Sequence, residues 1–208
     1  MPWPWSRKPR LTPELLSRIR ASFDEGAGDE DHFPSTIDPR ILHVRVVLEH
    51  MGAARRVLDV GCGKGRFARI LAGDAPGADI WGVDLSAAML RGVPPPVRRV
   101  QATMTALPFR DSYFDGAYAT ESLEHAVEID RAVAEICRVV RPGGRIAVID
   151  KNARQWGRLN TPEWEQWFGR AEMENRLSKH CVRVSSREIS YWEDVEPDGL
   201  FLAWLAEK

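Results

Sequence analysis

The sequence lacks the features that mark several large classes of protein. It has three cysteines in 208 residues, an odd number without framework spacing, so we predict no disulfide scaffold and a reducing, cytoplasmic location. We expect no transmembrane helix, because no apolar run is long enough, and the start of the chain does not resemble a signal peptide. No Cys/His set has zinc spacing, so no metal site is predicted. With 29 basic and 30 acidic residues, the net charge of -1 does not favour nucleic acid as a partner.

The most informative segment that is present combines a strand with closely spaced glycines. The β-type residues 57–60 lead directly into Gly61, Gly63 and Gly65, and a helical pattern follows. This arrangement predicts a buried parallel strand that turns tightly beneath a ligand, with the next helix directing its N-terminus at the ligand. The next β-type segment ends in Asp84, a carboxylate at the position that holds a ribose in Rossmann-like folds.

The glycine spacing also separates two kinds of nucleotide ligand. A nicotinamide dinucleotide site needs a third glycine where this chain has Arg66, which disfavours an oxidoreductase. The observed order, two aliphatic residues, an acid, an aliphatic residue and Gly-x-Gly-x-Gly, resembles the first motif of the class I S-adenosylmethionine-dependent methyltransferases. Similar motifs follow in family order at 82–90, 106–115, 121–125 and 135–144. The last two resemble the small-molecule subgroup that includes ubiquinone- and menaquinone-type enzymes.

The resemblance covers about residues 55–150 and implies a function. We expect methyl transfer from S-adenosylmethionine to an oxygen, nitrogen or carbon atom of a small molecule. The alternative is a regulatory or scaffold protein that binds the cofactor without catalysis. A nucleic-acid methyltransferase is disfavoured, because residues 120–123 lack the Asn/Asp-Pro-Pro-aromatic motif of base amino methylation. The acceptor and the oligomeric state stay open.

The resemblance also implies a set of cofactor-binding residues. Asp84 is expected to accept both ribose hydroxyls, and Asp59 to lie near the cofactor's amino group or to fix the turn. Thr103 stands where the family commonly has an acid that meets the adenine amino group, so we expect weaker adenine recognition. The full set is Asp59, Gly61, Cys62, Gly63, Gly65, Asp84, Leu85, Met89, Thr103, Met104 and Thr120. Leu85 and Met89 are expected to flank the adenine, although Met89 also suits a helix core.

Two polar residues after the fourth predicted strand are the candidates for catalysis. His125 is able to act as a base near neutral pH, or it only orders the start of a helix. Glu121 is expected to face the acceptor. His43 and His50 lie seven residues apart, which suggests one solvated helix face. His32 reaches the acceptor if the N-terminal helices cover the site.

The alternation of patterns predicts an α/β fold. We expect a Rossmann-like, doubly wound sheet of about seven strands, mostly parallel, with an antiparallel C-terminal hairpin. The strands are predicted near 56–60, 79–83, 97–101, 114–120, 144–150, 181–191 and 199–206, and helices near 12–23, 38–51, 65–73, 86–91 and 128–140, with another starting at 161. The chain is predicted to be one structural domain, in which residues 1–50 form an arm and helical cap and residues 51–208 bind the cofactor.

Tryptophan is unusually frequent, with eight residues. Trp81 and Trp204 fall in predicted strands and are expected in the core or on a sheet face. The others that bear on function are Trp3, Trp5, Trp156, Trp164 and Trp167. We expect them to wall an apolar or aromatic acceptor pocket and to pack in its lid; the alternatives are a partner subunit and a membrane surface.

Overall fold

The computed structural model describes residues 10–208, so the predictions for Trp3 and Trp5 lie outside the described residues. The strands are β1 Arg56–Val60, β2 Asp79–Asp84, β3 Arg98–Gln101, β4 Phe114–Thr120, β5 Val140–Lys151, β6 Arg183–Ile189 and β7 Phe201–Glu207. The helices are α1 Pro13–Gly26, α2 Leu42–Met51, α3 Arg66–Asp74, α4 Ala87–Arg91, α5 Ile129–Val139 and α6 Arg170–Ser178. A short 3-10 helix spans Leu123–His125.

All seven strands belong to one sheet, in the order β3-β2-β1-β4-β5-β7-β6. Strands β1 to β5 pair in parallel, whereas β7 is antiparallel to both β5 and β6. The predicted mostly parallel sheet with an antiparallel C-terminal hairpin is therefore confirmed. The strand order reverses between β1 and β4, and ligands of such sheets bind at the carboxyl ends of the strands next to this point.

Helices cover both faces of the sheet, as a doubly wound fold requires. Helices α2 and α3 bury their apolar side chains on one face, in a cluster with Tyr118 and Ile149. Helices α5 and α6 pack on the other face, in a cluster that contains Leu58 and Trp204. Trp204 is fully buried and Trp81 packs against the same cluster, so both have the core positions predicted for them.

Helix α1 lies outside these two layers, over the carboxyl ends of the strands. Thr12 caps it by accepting a hydrogen bond from the Leu15 N–H, and proline follows as the first helical residue. Near its end, the Asp24 carboxylate accepts hydrogen bonds from Ser86 Oγ at 2.6 Å and from the Ala88 N–H at 3.1 Å. These bonds fix α1 to the start of α4, directly after β2.

The prediction of a helix that starts at residue 161 is wrong. Residues 161–168 are not helical, and α6 begins only at Arg170. The Phe168 N–H donates to the Lys151 carbonyl at 3.1 Å, and the Phe168 carbonyl accepts from the Ala153 N–H at 3.0 Å. This extended pairing, with burial of Trp167 and Phe168, outweighs the local helix-start signal. Among residues 10–208, no helix is long and apolar enough to cross a bilayer.

Candidate functional site

A cavity of about 280 Å³ lies at the carboxyl ends of β1, β2 and β4, beneath α1. It brings together most of the residues predicted from the sequence: Asp59, Gly61, Cys62, Gly63, Asp84, Leu85, Met89, Thr103, Met104, Thr120, Glu121 and His125. Gly65 is the exception, since it does not line the cavity. The position agrees with the reversal of strand order between β1 and β4.

The floor of the cavity is the turn that follows β1. The N–H groups of Gly61 and Cys62 both donate to the Val83 carbonyl, at 2.8 and 3.0 Å, which ties the turn to β2. Gly61 has a φ of +73°, and a Cβ there would lie 2.5 Å from the Cβ of Ser122. Gly63 has a φ of +52°, and no heavy atom lies within 4 Å of the position that a Cβ would take, so its backbone is open to a ligand. Gly65 instead precedes α3 as its N-cap, in the left-handed conformation.

Asp84 connects the end of β2 to the glycine turn. Its Oδ2 accepts a hydrogen bond from the Gly63 N–H at 2.8 Å, and its Oδ1 accepts one from the Ser86 N–H at 2.8 Å. Burial raises its pKa, while these backbone hydrogen bonds oppose that shift. Each carboxylate oxygen has two lone pairs, so both retain capacity to accept a hydroxyl group from the cavity.

Asp59 supplies a second carboxyl group to the same end of the cavity. It is 3% exposed, and its Oδ2 is buried without a hydrogen-bond partner among the described residues. Burial raises the pKa of Asp59 to about 7. An unsatisfied buried acceptor is costly, and the ammonium group of an amino-acid moiety is a donor that would satisfy it. The open Gly63 backbone, Asp84 and Asp59 together fit S-adenosylmethionine.

The region next to Asp84 is mainly apolar. Leu85, Met89 and Met104 line it together with Thr103, whose Oγ1 lies 2.9 Å from Oγ1 of Thr105. The surface is therefore suited to a flat heterocycle, with a single hydroxyl group at the position that often carries an acid in the family. Cys62 is buried here, and burial raises the pKa of its thiol well above the usual value. It is a packing residue rather than a nucleophile.

Glu121 follows β4 in a strained conformation, with a φ of +52°. Its N–H donates to the Ile149 carbonyl at 2.8 Å, and its Oε1 lies 3.3 Å from both His43 Nδ1 and Arg66 Nη2. Burial opposes ionisation, but the hydrogen bond from His43 and the charge of Arg66 outweigh it and lower the pKa of Glu121 to about 2. The side chain therefore presents a fixed negative charge at the cavity wall.

The prediction that His43 and His50 form a solvated edge is wrong. His43 is fully buried, with its ring edge-to-face against Tyr191 at 5.0 Å and Phe201 at 4.6 Å. His50 is half-buried and donates to the Ala206 carbonyl at 3.2 Å. The reason is that α2 packs on the sheet and not over the site, so its histidine face is covered. Residues 44, 47 and 51 share this buried face, and their apolar pattern was the available signal.

His125 lies against a buried group of ionisable residues that no sequence pattern indicated. Lys151 contacts the Glu124 carboxylate, and its Nζ lies 3.1 Å from Glu165 Oε1. His125 Nε2 is 3.5 Å from Glu124, and His125 Nδ1 is 3.8 Å from Glu165. Burial and then the charge of Lys151 lower the pKa of His125 to about 3, so the ring is neutral.

The same group has the composition of a metal site. Ligand atoms of Glu124, His125 and Glu165 lie within 4.8 Å of one another. However, the ammonium group of Lys151 contacts both carboxylates and provides their positive counter-charge. Burial and Asp150 raise the pKa of Glu124 well above its usual value. We therefore interpret this group as an ion-pair network beside the cavity.

The apolar wall of the cavity differs from the predicted one. Trp156, Trp164 and Trp167 do not line it; Trp164 packs behind α1, and Trp167 stacks edge-to-face with Trp156. The loop at 161–168 directs the rings of Trp164 and Trp167 into the protein interior. The aromatic residues that do line the cavity are Phe23 and Phe33, together with Leu11, Leu16, Ile19 and Pro34. His32 also lines it, with 79% of its side chain exposed and an ion pair to Asp29 at 2.7 Å.

Comparison with known proteins identifies the family. Residues 58–148 match a family model described as a methyltransferase domain. The O-methyltransferase resE of Aspergillus sclerotiorum is 40% identical over 149 residues, which are 67% of this chain and 56% of that protein. The demethylmenaquinone methyltransferase of Thermus thermophilus is 35% identical over 107 residues, 47% of this chain and 48% of that protein. The chain thus spans about half the length of these relatives.

A solved structure extends the fold comparison to nearly the whole chain. An S-adenosylmethionine-dependent methyltransferase of Thermotoga maritima, described as a possible histamine N-methyltransferase, matches with a TM-score of 0.70. The match covers 91% of this chain and 99% of that one at 19% identity, so it shows the fold alone. The motifs, the fold and the sequence matches agree. The chain belongs to the class I S-adenosylmethionine-dependent methyltransferases.

Proposed function

We propose that this chain is an enzyme that transfers a methyl group from S-adenosylmethionine to an oxygen, nitrogen or carbon atom of a small molecule. The observation that carries the proposal is the pair of carboxyl groups, Asp59 and Asp84, on either side of the open glycine turn. When bound, the cofactor supplies a methyl group on a positively charged sulfur that leaves as a neutral thioether.

In this proposal the cofactor end of the cavity is built from the predicted residues. Asp84 accepts the ribose hydroxyls, and Asp59 accepts the amino group of the methionine moiety. The backbone of Gly61 and Gly63 allows close approach. The side chains that contact or enclose the adenine and the methionine moiety are Cys62, Leu85, Met89, Thr103, Met104 and Thr120, while Gly65 acts through the conformation of the turn.

Glu121 and His125 form the acceptor end in this proposal. Glu121 orients the acceptor through its carboxylate, and His125, as a neutral ring, accepts a hydrogen bond from it. Phe23 and Phe33 on the cap exclude water and position the acceptor for in-line displacement. Because the pKa values of Glu121 and His125 are about 2 and about 3, neither is poised to take a proton at neutral pH. Their contribution is orientation.

The same pKa values favour a second candidate function, a protein that binds the cofactor without catalysis. It would bind S-adenosylmethionine and S-adenosylhomocysteine normally but release no S-adenosylhomocysteine with any acceptor. The first candidate is preferred because the cavity extends from Asp84 to Glu121 and thus has room beside the cofactor end.

We further propose one structural domain located in the cytoplasm. Residues 51–208 form the cofactor-binding part, and residues 1–50 include the cap, of which α1 and the loop to Pro34 line the cavity. The three cysteines are free thiols, which supports a reducing compartment. We propose small molecules as its partners and not nucleic acid, since the net charge is -1.

The test begins with binding, by calorimetry, of S-adenosylmethionine and S-adenosylhomocysteine, with NAD as a control. We expect micromolar binding of the first two and none of NAD. Asp84→Asn should weaken the binding of both ligands by about tenfold or more, because hydrogen bonds to a charged group are lost. Asp79→Asn, at the opposite end of β2, is the matched control and should leave binding unchanged. Formation of S-adenosylhomocysteine with a panel of acceptors then tests catalysis. Full-strength binding by Asp84→Asn would refute the site assignment.

A further inference from the structure

The cationic side chains that line the cavity are each neutralised by an acidic partner within the protein. Lys64 Nζ lies 2.7 Å from Glu30, and Arg66 Nη2 lies 3.3 Å from Glu121. Lys151 contacts two carboxylates of the buried network described above. Within residues 10–208, each of these cations therefore already has at least one acidic partner.

Hydrogen-bond acceptors, in contrast, are available at the acceptor end. Glu121 uses Oε1 for both of its ion-pair contacts, and its side chain remains 20% exposed at the cavity wall. His125 Nδ1 is buried without a hydrogen-bond partner among the described residues. That nitrogen lies 3.8 Å from Glu165 Oε2, so the acceptor that faces the cavity is the carboxylate of Glu121. This carboxylate would be satisfied by a ligand that donates hydrogen bonds.

Two phenylalanine rings lie on the His125 side of the cavity. Phe23 lies edge-to-face with His125, with ring centroids 5.0 Å apart, and edge-to-face with Phe33 at 5.8 Å. All three rings line the cavity, and Leu16 and Ile19 add apolar surface beside them. Aromatic faces in the same cavity as a carboxylate attract an ammonium group, and the aliphatic wall suits the apolar body of the same molecule.

We propose that the acceptor end of the cavity binds an apolar molecule that carries an amine in its ammonium form, and that Glu121 is the residue that selects for the amine. The inference rests on the proposed function, because it concerns the acceptor of that same site. An acceptor with a carboxylate or phosphate group in this position would face the carboxylate of Glu121, beside cations that already have acidic partners. Methylation at the nitrogen itself requires the ammonium to release a proton to water first, because only the neutral amine has a lone pair.

A matched pair of probes tests this selectivity. The protein is loaded with S-adenosylhomocysteine, and binding of 4-phenylbutylamine and 4-phenylbutanoate is measured by calorimetry at pH 7. The two probes have the same apolar body and opposite charges. We expect the dissociation constant of the amine to be about tenfold lower than that of the carboxylate, or lower still. A hydrogen bond to a charged group accounts for a difference of this size. Equal binding, preference for the carboxylate or binding of neither probe would overturn the proposal.

Two variants then assign the preference to Glu121. Glu121→Gln should reduce the preference for the amine to less than about threefold, whereas Glu49→Gln, an exposed acid on α2, should retain it. Binding of S-adenosylhomocysteine by both variants shows that they are folded. An unchanged preference in Glu121→Gln would overturn the assignment. The comparison of the two probes on the unaltered protein stands whether or not this variant folds.

The positively charged sulfur of the cofactor is a competing explanation for the negative charge of Glu121. Glu121→Gln would then weaken binding of S-adenosylmethionine much more than binding of S-adenosylhomocysteine and leave the preference for the amine intact. In that case the charge of Glu121 stabilises the bound cofactor, and the proposal is overturned. Failure of S-adenosylhomocysteine to bind would instead refute the proposed function. The same probes applied to the free protein would then still decide the charge preference.

Discussion

The guanidinium of Arg66 lies 3.3 Å from Oε1 of Glu121, so the first residue of α3 is paired with the residue that follows β4. Arg66 occupies the position at which a dinucleotide-binding turn has its third glycine. In this chain the position holds a cation that connects the glycine turn to the opposite wall of the cavity. The hydrogen bond from His43 and the charge of Arg66 lower the pKa of Glu121 to about 2 and so keep its carboxylate ionised.

Removal of Arg66 should therefore destabilise the protein. We expect Arg66→Met to lower the free energy of unfolding by about 1–3 kcal/mol, because a half-buried carboxylate loses a charged hydrogen-bond donor. In the double variant with Glu121→Gln, the loss should be smaller than the sum of the single effects, since the two residues interact. Urea denaturation of the four proteins measures this coupling. Arg45→Met, which breaks the exposed pair with Glu193, is the control and should cost less than about 1 kcal/mol. Strict additivity would contradict the pairing.

Asp59 should give the stability a distinctive dependence on pH. Its pKa is about 7 in the folded protein, whereas an aspartate ordinarily has a pKa of 3.8, so the folded state binds the proton more tightly. The contribution of Asp59 to the free energy of unfolding is fully present below pH 3.8 and is lost as the pH rises through 7. In the wild-type protein this decline is at most about 4 kcal/mol between pH 4 and pH 8, and it should be absent in Asp59→Asn. Urea midpoints of both proteins across this range provide the measurement, and identical slopes would exclude a raised pKa.

Binding of the cofactor should follow the opposite trend, because it needs the ionised form of Asp59. We expect the affinity for S-adenosylhomocysteine to increase from pH 6 to pH 8 and the increase to be absent in Asp59→Asn. Calorimetry at several pH values measures both. A wild-type affinity that does not change over this range would remove Asp59 from contact with the amino group.

Thr103 tests the weak adenine recognition expected from the sequence. Thr103→Asp should increase the affinity for S-adenosylhomocysteine several-fold, because a carboxylate is a stronger acceptor for the adenine amino group than a hydroxyl. S-inosylhomocysteine lacks that amino group and should show no gain. Thr103→Ser is the control that retains the hydroxyl. An equal effect of Thr103→Asp on both ligands, or no effect, would place the adenine elsewhere.

Two glycines, one in the turn after β1 and one inside α3, should respond to alanine in opposite directions. Gly61→Ala should destabilise the protein by about 2 kcal/mol or more, since its φ is +73° and its Cβ would meet Ser122. Gly73→Ala should stabilise it by about 0.5–1 kcal/mol, because Gly73 lies inside α3 with free space around it. Thermal or urea denaturation gives both values. A neutral Gly61→Ala variant would show that the turn relaxes readily.

The features that the sequence predicted are those encoded by local patterns. Alternating strands and helices, the glycine turn and the strand-end carboxylate Asp84 are each specified within a few residues, and the parallel sheet follows from their order. The structure brings the predicted residues to one cavity because the carboxyl ends of neighbouring parallel strands meet at one edge. The sequence also shows that Arg66 replaces the third glycine of a dinucleotide-binding turn, but it does not show that Arg66 pairs with Glu121.

What the sequence could not supply depends on contacts between distant segments. The pairing of Phe168 with the backbone at Lys151 replaced a predicted helix, and the packing of α2 on the sheet buried His43 behind Glu121. The network of Lys151 with Glu124 and Glu165 joins three separate segments. Local sequence patterns do not show which distant segments come into contact. The sequence by itself determined the fold class and the cofactor end, because both arise from local turns at strand ends. Only the tertiary structure decided the charge and shape of the acceptor end, because long-range ion pairs and packing set them.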